Sequence, residues 1–265
     1  MIRCAYYEHP DYVPLLLRSW ELWLQLCEEA GRSSLHATGG LYMGPPASEF
    51  VQASLHAAAE HGLEFERLDR GQLQNRFPQF DLPADFIGMH ESKAGFLVPE
   101  WCIEDQVHLA RTHGAEIHEH ERVESWTCVG GGVQVQTAAG TYTAERLVLC
   151  AGAWMPELLT LPVPLQVTRQ VLGWTQPKDP ASLQRGTFPV WAIDCPGTGQ
   201  LYGFPITKGL PGPCGFKVAL HAPGATVNPD TVDREARPGD EATFLEHVQA
   251  WIPAAGTTVE AMRIC

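Results

Sequence analysis

The chain has 265 residues, with 18 Lys and Arg against 31 Asp and Glu, and so a formal net charge of −13 with histidine neutral. At 45% apolar and 18% charged residues it can bury a sizeable core, which excludes a disordered, collagenous or disulfide-scaffold chain. The acidic balance leaves no basic stripe to track phosphates and disfavours anionic surfaces, so nucleic acid and membrane are not expected as partners.

Residues 12–30 place Val13, Leu16, Leu17, Trp20, Trp23, Leu24 and Cys27 at three- and four-residue spacing. This predicts an amphipathic, core-facing helix ended by Gly31. Residues 37–46 read as a short strand between turn residues, and 47–62 return to helical period with Ser48 as N-cap. A short helix around 68–77 is stopped by Pro78, and strand-like segments follow at 87–90 and 94–98. Pro99 then opens and Gly114 closes another helix, with Ile103, Val107 and Ala110 on one face.

From Ala115 the pattern becomes dense in strands. Residues 116–120 alternate loosely and 133–137 strictly, 140–143 follow a turn, and Leu147-Val148-Leu149-Cys150 is a continuous apolar run. That run predicts a buried strand, and its ending in Ala151-Gly152 is the pattern of an α/β sheet approaching a ligand. One or two helical turns are expected at 154–159, longer strands of a second sheet at 163–175 and 188–193, two more strands at 200–205 and 214–221, and a helix at 240–251. No internal repeat is present.

A dinucleotide-binding chain opens with a strand, a G-x-G-x-x-G turn and a helix, because backbone N–H groups must approach a pyrophosphate. No such motif occurs. The nearest glycine cluster, Gly130-Gly131-Gly132, precedes the alternating strand at 133–137 and reads as a hairpin turn. Cys4, Cys27, Cys102, Cys128, Cys150, Cys195, Cys214 and Cys265 are spread singly, without a CxxC pair or histidines at ligand spacing. A metal site is therefore not expected, and a reducing cytoplasm is the default location.

Six stretches together resemble one family. They are Met1-Ile2-Arg3-Cys4-Ala5-Tyr6 with Tyr12-Val13-Pro14-Leu15, Thr38-Gly39-Gly40-Leu41, the segment 147–154, Pro164-Leu165-Gln166 with Arg169-Gln170-Val171, Tyr202-Gly203-Phe204-Pro205, and the segment 217–221. In order and content they are similar to the monomeric sarcosine oxidase and N-methyl-tryptophan oxidase group of FAD-dependent amine oxidases. The resemblance implies a mixed α/β (α+β) fold, in which a Rossmann-like FAD-binding domain is interleaved with an antiparallel-sheet substrate domain. Residues 1–36 and 99–160 would belong to the first domain, and 37–98 and 161–260 to the second. Family members carry a glycine-rich FAD loop before the segment resembling Arg3 and continue past the one resembling Cys265, so a partial chain lacking that loop is expected.

The implied chemistry is oxidation of a secondary amino acid, N-methyl or cyclic, at its C–N bond, with oxygen as acceptor and an imine and hydrogen peroxide as products. By resemblance Arg3 binds the substrate carboxylate, for which a guanidinium is apt because it grips both oxygens. Lys217 is the lysine above the flavin that promotes reaction with oxygen. His221 and Tyr202 line the same pocket, and even spacing from Lys217 puts His221 on its side of a strand. Cys265 is the thiol joined to the flavin, while Val123 and Ala151, Gly152 and Trp154 contact the cofactor.

On their residues alone these positions have plainer readings. Arg3 reads as a surface ion pair, Lys217 as a solvated strand lysine, His221 and Tyr202 as packed residues, Cys265 as a frayed terminal thiol, and 151–154 as a strand-to-helix turn. The corresponding whole-chain alternative is a non-catalytic remnant or carboxylate-binding module.

Overall fold

The computed structural model describes residues 1–265, and the chain order of its elements follows the apolar spacing closely. A two-residue strand β1 (Ile2–Arg3) precedes α1 (Val13–Ala30), which buries Val13 and Trp20 and ends at Gly31 in the left-handed conformation, φ 66°. Next come β2 (Leu35–Ala37), β3 (Gly40–Gly44) and α2 (Glu49–Glu60), with Ser48 accepting from the Val51 N–H as expected of an N-cap. β4 (Phe65–Leu68), α3 (Arg70–Arg76), β5 (Ile87–Glu91), β6 (Ala94–Leu97) and α4 (Pro99–Thr112) follow. β7 (Val123–Val129), β8 (Gly132–Thr137) and β9 (Thr141–Ala144) form a meander, and α5 (Met155–Leu158) is a single turn. The chain closes with β10 (Val171–Gln176), β11 (Val190–Cys195), β12 (Gly199–Phe204), β13 (Phe216–His221), α6 (Pro238–Trp251) and β14 (Thr258–Ile264).

The chain divides into two units, 1–106 with 170–223 and 234–265, and 107–169 with 224–233. The first holds an eight-stranded sheet of order β14-β10-β13-β12-β11-β3-β5-β4 and a three-stranded sheet β1-β6-β2. In the large sheet only β11 and β3 run parallel. Side chains alternate across a strand and directly paired residues share a face. One face therefore carries Leu41, Met43, Trp191, Ile193, Leu201, Phe216 and Val218, which pack with Leu73 of α3 and Phe244 and Val248 of α6 into the main core. The other face carries Tyr42, Ala192, Tyr202 and Ala219 in one row, and Phe204, Lys217 and Trp174 in the next.

The second unit holds the meander, in the order β7-β8-β9. Gly130 and Gly131 have φ of 55° and 87°, so the glycine cluster is the hairpin turn that its sequence predicts. Two expectations fail here. Residues 147–150 form no strand and pair with nothing, and Val148 is 83% exposed, because an apolar run becomes a buried strand only where neighbours hydrogen-bond and cover it. Residues 116–120 are a loop, tied by side chains such as His118 Nδ1, 2.9 Å from Glu121, in place of a ladder.

Smaller differences have similar causes. Residues 163–169 precede β10 outside the sheet, Thr168 making an isolated bridge to Thr226, and 258–264, not anticipated as a strand, pair with β10 along its whole length. In α4 the buried residues are Cys102 and Asp105, while Ile103 is 62% exposed. Asp105 is drawn inward by Arg32, whose Nε donates to it at 2.9 Å, and by the Ser34 hydroxyl at 2.7 Å.

Candidate functional site

The site-bearing face of the large sheet is built by register. Lys217 on β13 lies opposite Phe204 of β12 and Trp174 of β10, and its Nζ stands 5.0 Å and 5.1 Å from the centroids of those two rings. Rings on both sides strip water from the ammonium while their π faces attract it. Burial lowers the Lys217 pKa, and the nearby Glu100 and Cys265 oppose that shift. No carboxylate comes within the 4.0 Å that defines an ion pair. Lys217 is thus a partly desolvated cation without a counter-ion, unlike the solvated lysine that composition alone suggests. It opens on a cavity of 520 Å³ shared with Trp174, Phe204, Glu100 and Arg263, a size in the range of small-molecule sites.

Tyr202 stands two residues from Phe204 on the same face, with ring centroids 6.2 Å apart and an edge contact. Burial raises its pKa, and so does Cys265. Cys265 follows β14 and bonds through both backbone groups to Gln170 at 2.9 Å, which puts it on this face also. Its thiol is exposed and lies near enough to Lys217 and Tyr202 to count among the influences on both. His221, opposite Gln200 at the end of β13, shares the face and is exposed. The structure therefore brings Lys217, Tyr202, His221 and Cys265 onto one side of one sheet.

Arg3 is not a surface ion pair. Its side chain is 14% exposed and reaches Glu8 at 3.6 Å. Its guanidinium carbon lies 4.9 Å from the rings of Tyr6 and Tyr7, 5.4 Å from Tyr42 and 5.5 Å from Phe50. Tyr42 belongs to the Tyr42–Ala192–Tyr202–Ala219 row, so Arg3 sits over the same face as Lys217. Adjacent strands lie about 4.8 Å apart and residues about 3.4 Å along a strand, so Tyr42, three strand steps and one two-residue row from Lys217, is about 16 Å from it backbone to backbone.

The sequence reading missed Tyr42, Phe204, Trp174 and Glu91. The signal for Tyr42 and Glu91 was a phenol and a carboxylate in otherwise apolar strands, since buried polar groups must find one another.

In the second unit, Val123, Ala151 and Trp154 line a second cavity of 460 Å³ with the apolar side chains of Val135, Leu147 and Leu149. Gly152, with φ 50°, makes the turn after Ala151, a backbone angle that side chains rarely adopt. The Trp154 indole is fixed by donating to Asp230 at 2.9 Å. The plain turn of the sequence reading is thus a turn on the wall of a cavity.

The first unit thus offers a desolvated cation between aromatic walls, and the second a cavity of largely apolar lining that also holds Arg122, Glu157 and Asp230. Comparisons with known proteins identify the family. Residues 1–264 match the family model described as FAD dependent oxidoreductase (DAO), and the chain belongs to that family, whose cofactor is FAD. Within it, the chain is 38% identical over 264 residues to the monomeric sarcosine oxidase of Streptomyces avermitilis, covering 98% of this chain and 68% of that protein. It is 33% identical over 229 residues to the N-methyl-L-tryptophan oxidase of Escherichia coli, covering 86% of this chain and 60% of that one. It also shares its fold with the structure of NikD, an unusual amino acid oxidase essential for nikkomycin biosynthesis, at TM-score 0.79 and 21% identity over 98% of this chain and 68% of NikD. No helix is long and apolar enough to cross a membrane, and no group of three His, Cys, Asp or Glu side chains is gathered as a metal site would need.

Proposed function

We propose that this chain oxidises a secondary amino acid at its C–N bond, giving an imine and, from oxygen, hydrogen peroxide. The observation that carries the reading is Lys217, an unpaired ammonium held between Trp174 and Phe204 on the face that also presents Arg3, Tyr202 and Cys265. FAD, when bound, would supply the acceptor for the hydride equivalent lost from the carbon beside nitrogen as C–N becomes C=N, and oxygen would be its oxidant.

The protein's own groups do the rest. Arg3 binds the substrate carboxylate, and its aromatic surround excludes water and so strengthens that contact. Glu8, which now pairs with Arg3, gives up or shares that partner when a substrate carboxylate arrives. Tyr202 and His221 offer hydrogen bonds to the amine, and Lys217 places positive charge where oxygen gains electrons. Cys265 offers the sulfur for a covalent link to the cofactor. Val123, Ala151, Gly152 and Trp154 are assigned to the cofactor in the second unit. The division into cofactor segments 1–36 and 99–160 and substrate segments 37–98 and 161–260 is part of the same proposal.

The test is anaerobic mixing of the FAD-loaded protein with sarcosine, N-methyl-tryptophan and pipecolate, followed by peroxidase-coupled detection of peroxide in air. Bleaching of the flavin by at least one of them, with one peroxide per imine, is expected. Carboxylate binding with no bleaching by any of them would make the chain a binding module and overturn the proposal.

A further inference from the structure

Arg3 closes a strand of two residues, held to β6 by the pairs Ile2–Gly95 and Arg3–Ala94 alone. The ladder stops at Arg3, so the backbone beyond it needs another hold if the side chain is to meet a carboxylate in one orientation. The peptide that follows supplies that hold: the Ala5 N–H donates to Glu91 Oε2 at 3.0 Å. The other carboxylate oxygen, Oε1, accepts from the Tyr42 hydroxyl at 2.5 Å, and Tyr42 is one of the four rings around the guanidinium. One carboxylate thus holds both the backbone just after Arg3 and a wall of its cage.

Glu91 is 1% exposed and has no ion-pair partner within 4.0 Å. A buried carboxylate of this kind costs free energy that an apolar residue would not. Burial raises its pKa, opposed by the Tyr42 hydroxyl, the Ala5 N–H, the Arg3 charge and the Cys4 N–H. All its hydrogen-bonding partners are donors, which suits the ionised form. Its strand partner is Gly40, where a Cβ would fall 2.8 Å from the Ala94 Cβ and 2.9 Å from the Tyr42 Cζ. Glycine at that position leaves the path by which the phenol crosses to Glu91.

We propose that Glu91 is a positioning residue for substrate binding, setting the orientation of Arg3 through Tyr42 and the Cys4–Ala5 backbone. The inference rests on the reading of Arg3 as the carboxylate ligand. Loss of the Glu91 charge leaves Arg3 present but misaligned, so the defect lies in capture of the carboxylate and not in the oxidation step.

The experiment compares Glu91→Gln, Tyr42→Phe and Arg3→Ala in the FAD-loaded protein, reading KM and kcat for the best substrate of the bleaching assay and hydrogen exchange of the Ala5 amide. Glu91→Gln is expected to raise KM about tenfold with kcat within about twofold, and to speed exchange at that amide. Tyr42→Phe, which keeps the carboxylate and the core packing, is expected to move KM in the same direction by less. Combined with Arg3→Ala, Glu91→Gln should raise KM no further, because both act on one contact. Faster exchange with an unchanged KM would make Glu91 a fold anchor only and overturn the inference, as would additive effects on KM in the double variant. An unchanged KM in Arg3→Ala alone would instead overturn the carboxylate reading itself, and the two failures are therefore separable.

Discussion

The two units of this chain place similar apolar residues in opposite circumstances. In the first, Trp191, Phe188 and Phe216 have almost no contact with solvent, and Trp191 stacks on Phe216 at 5.9 Å with ring planes 7° apart. In the second, the one buried residue is a polar one, Thr137, while Val148 is 83% and Val163 60% exposed. Order there rests on the backbone ladders of the meander and on hydrogen bonds from side chains. The Trp126 indole donates to the Leu158 carbonyl at 2.9 Å, and Thr137 Oγ1 accepts from the Ala139 and Gly140 amides. An apolar composition therefore does not locate a core, and the buried apolar packing of the chain is concentrated in the unit that also carries Lys217.

The largest effect expected from this difference is on stability. Trp191→Ala should cost about 3–5 kcal/mol in urea unfolding, whereas Val148→Ala should stay within about 0.5 kcal/mol. Comparable losses would show that the exposed run at 147–150 is covered in solution, and the contrast would break. Next in size is Lys217→Met, which should slow reoxidation by oxygen about a hundredfold while changing anaerobic reduction far less. Equal slowing of both half-reactions would remove Lys217 from the oxygen step. Arg3→Ala should raise KM for carboxylated amines about tenfold or more, with kcat less affected. It would also show that the first unit supplies the substrate contact.

Legibility from sequence followed the same division. In the first unit, α1, α2 with its Ser48 cap, β12, β13 and α6 were readable because periodicity and capping act locally. β14 was not, since the order Thr-Val-Glu-Ala-Met-Arg-Ile has no clean alternation and its identity as a strand comes from pairing with β10. In the second unit the apolar run at 147–150 was misread, because burial is a property of neighbours and not of the run. Arg3, Lys217 and Cys265 were reached through resemblance. Their gathering on one face required the register of strands far apart in sequence, as Tyr42 with Glu91, 49 residues apart, shows most plainly.

The smallest expected effect, and the sharpest test of the contrast, concerns acid. Glu121 in the second unit accepts from the Thr137 hydroxyl and from the Tyr142 hydroxyl at 2.8 Å, and pairs with His118 at 2.9 Å. These contacts lower its pKa, the Thr137 bond most. A carboxylate with a folded pKa below its unfolded one adds stability that is fully present above the ordinary carboxylate range and is lost as pH falls through its own lower value. On acidification below about pH 4, the Ala139 and Gly140 amides should therefore lose exchange protection, relative to intrinsic rates, while amides of β11 and β12 keep theirs. Glu121→Gln should flatten that pH dependence without moving the urea midpoint. If meander and sheet lost protection together, the two units would be opening as one cooperative body. The exposed apolar residues of the second unit would then have to contribute to the same stability as the buried ones of the first.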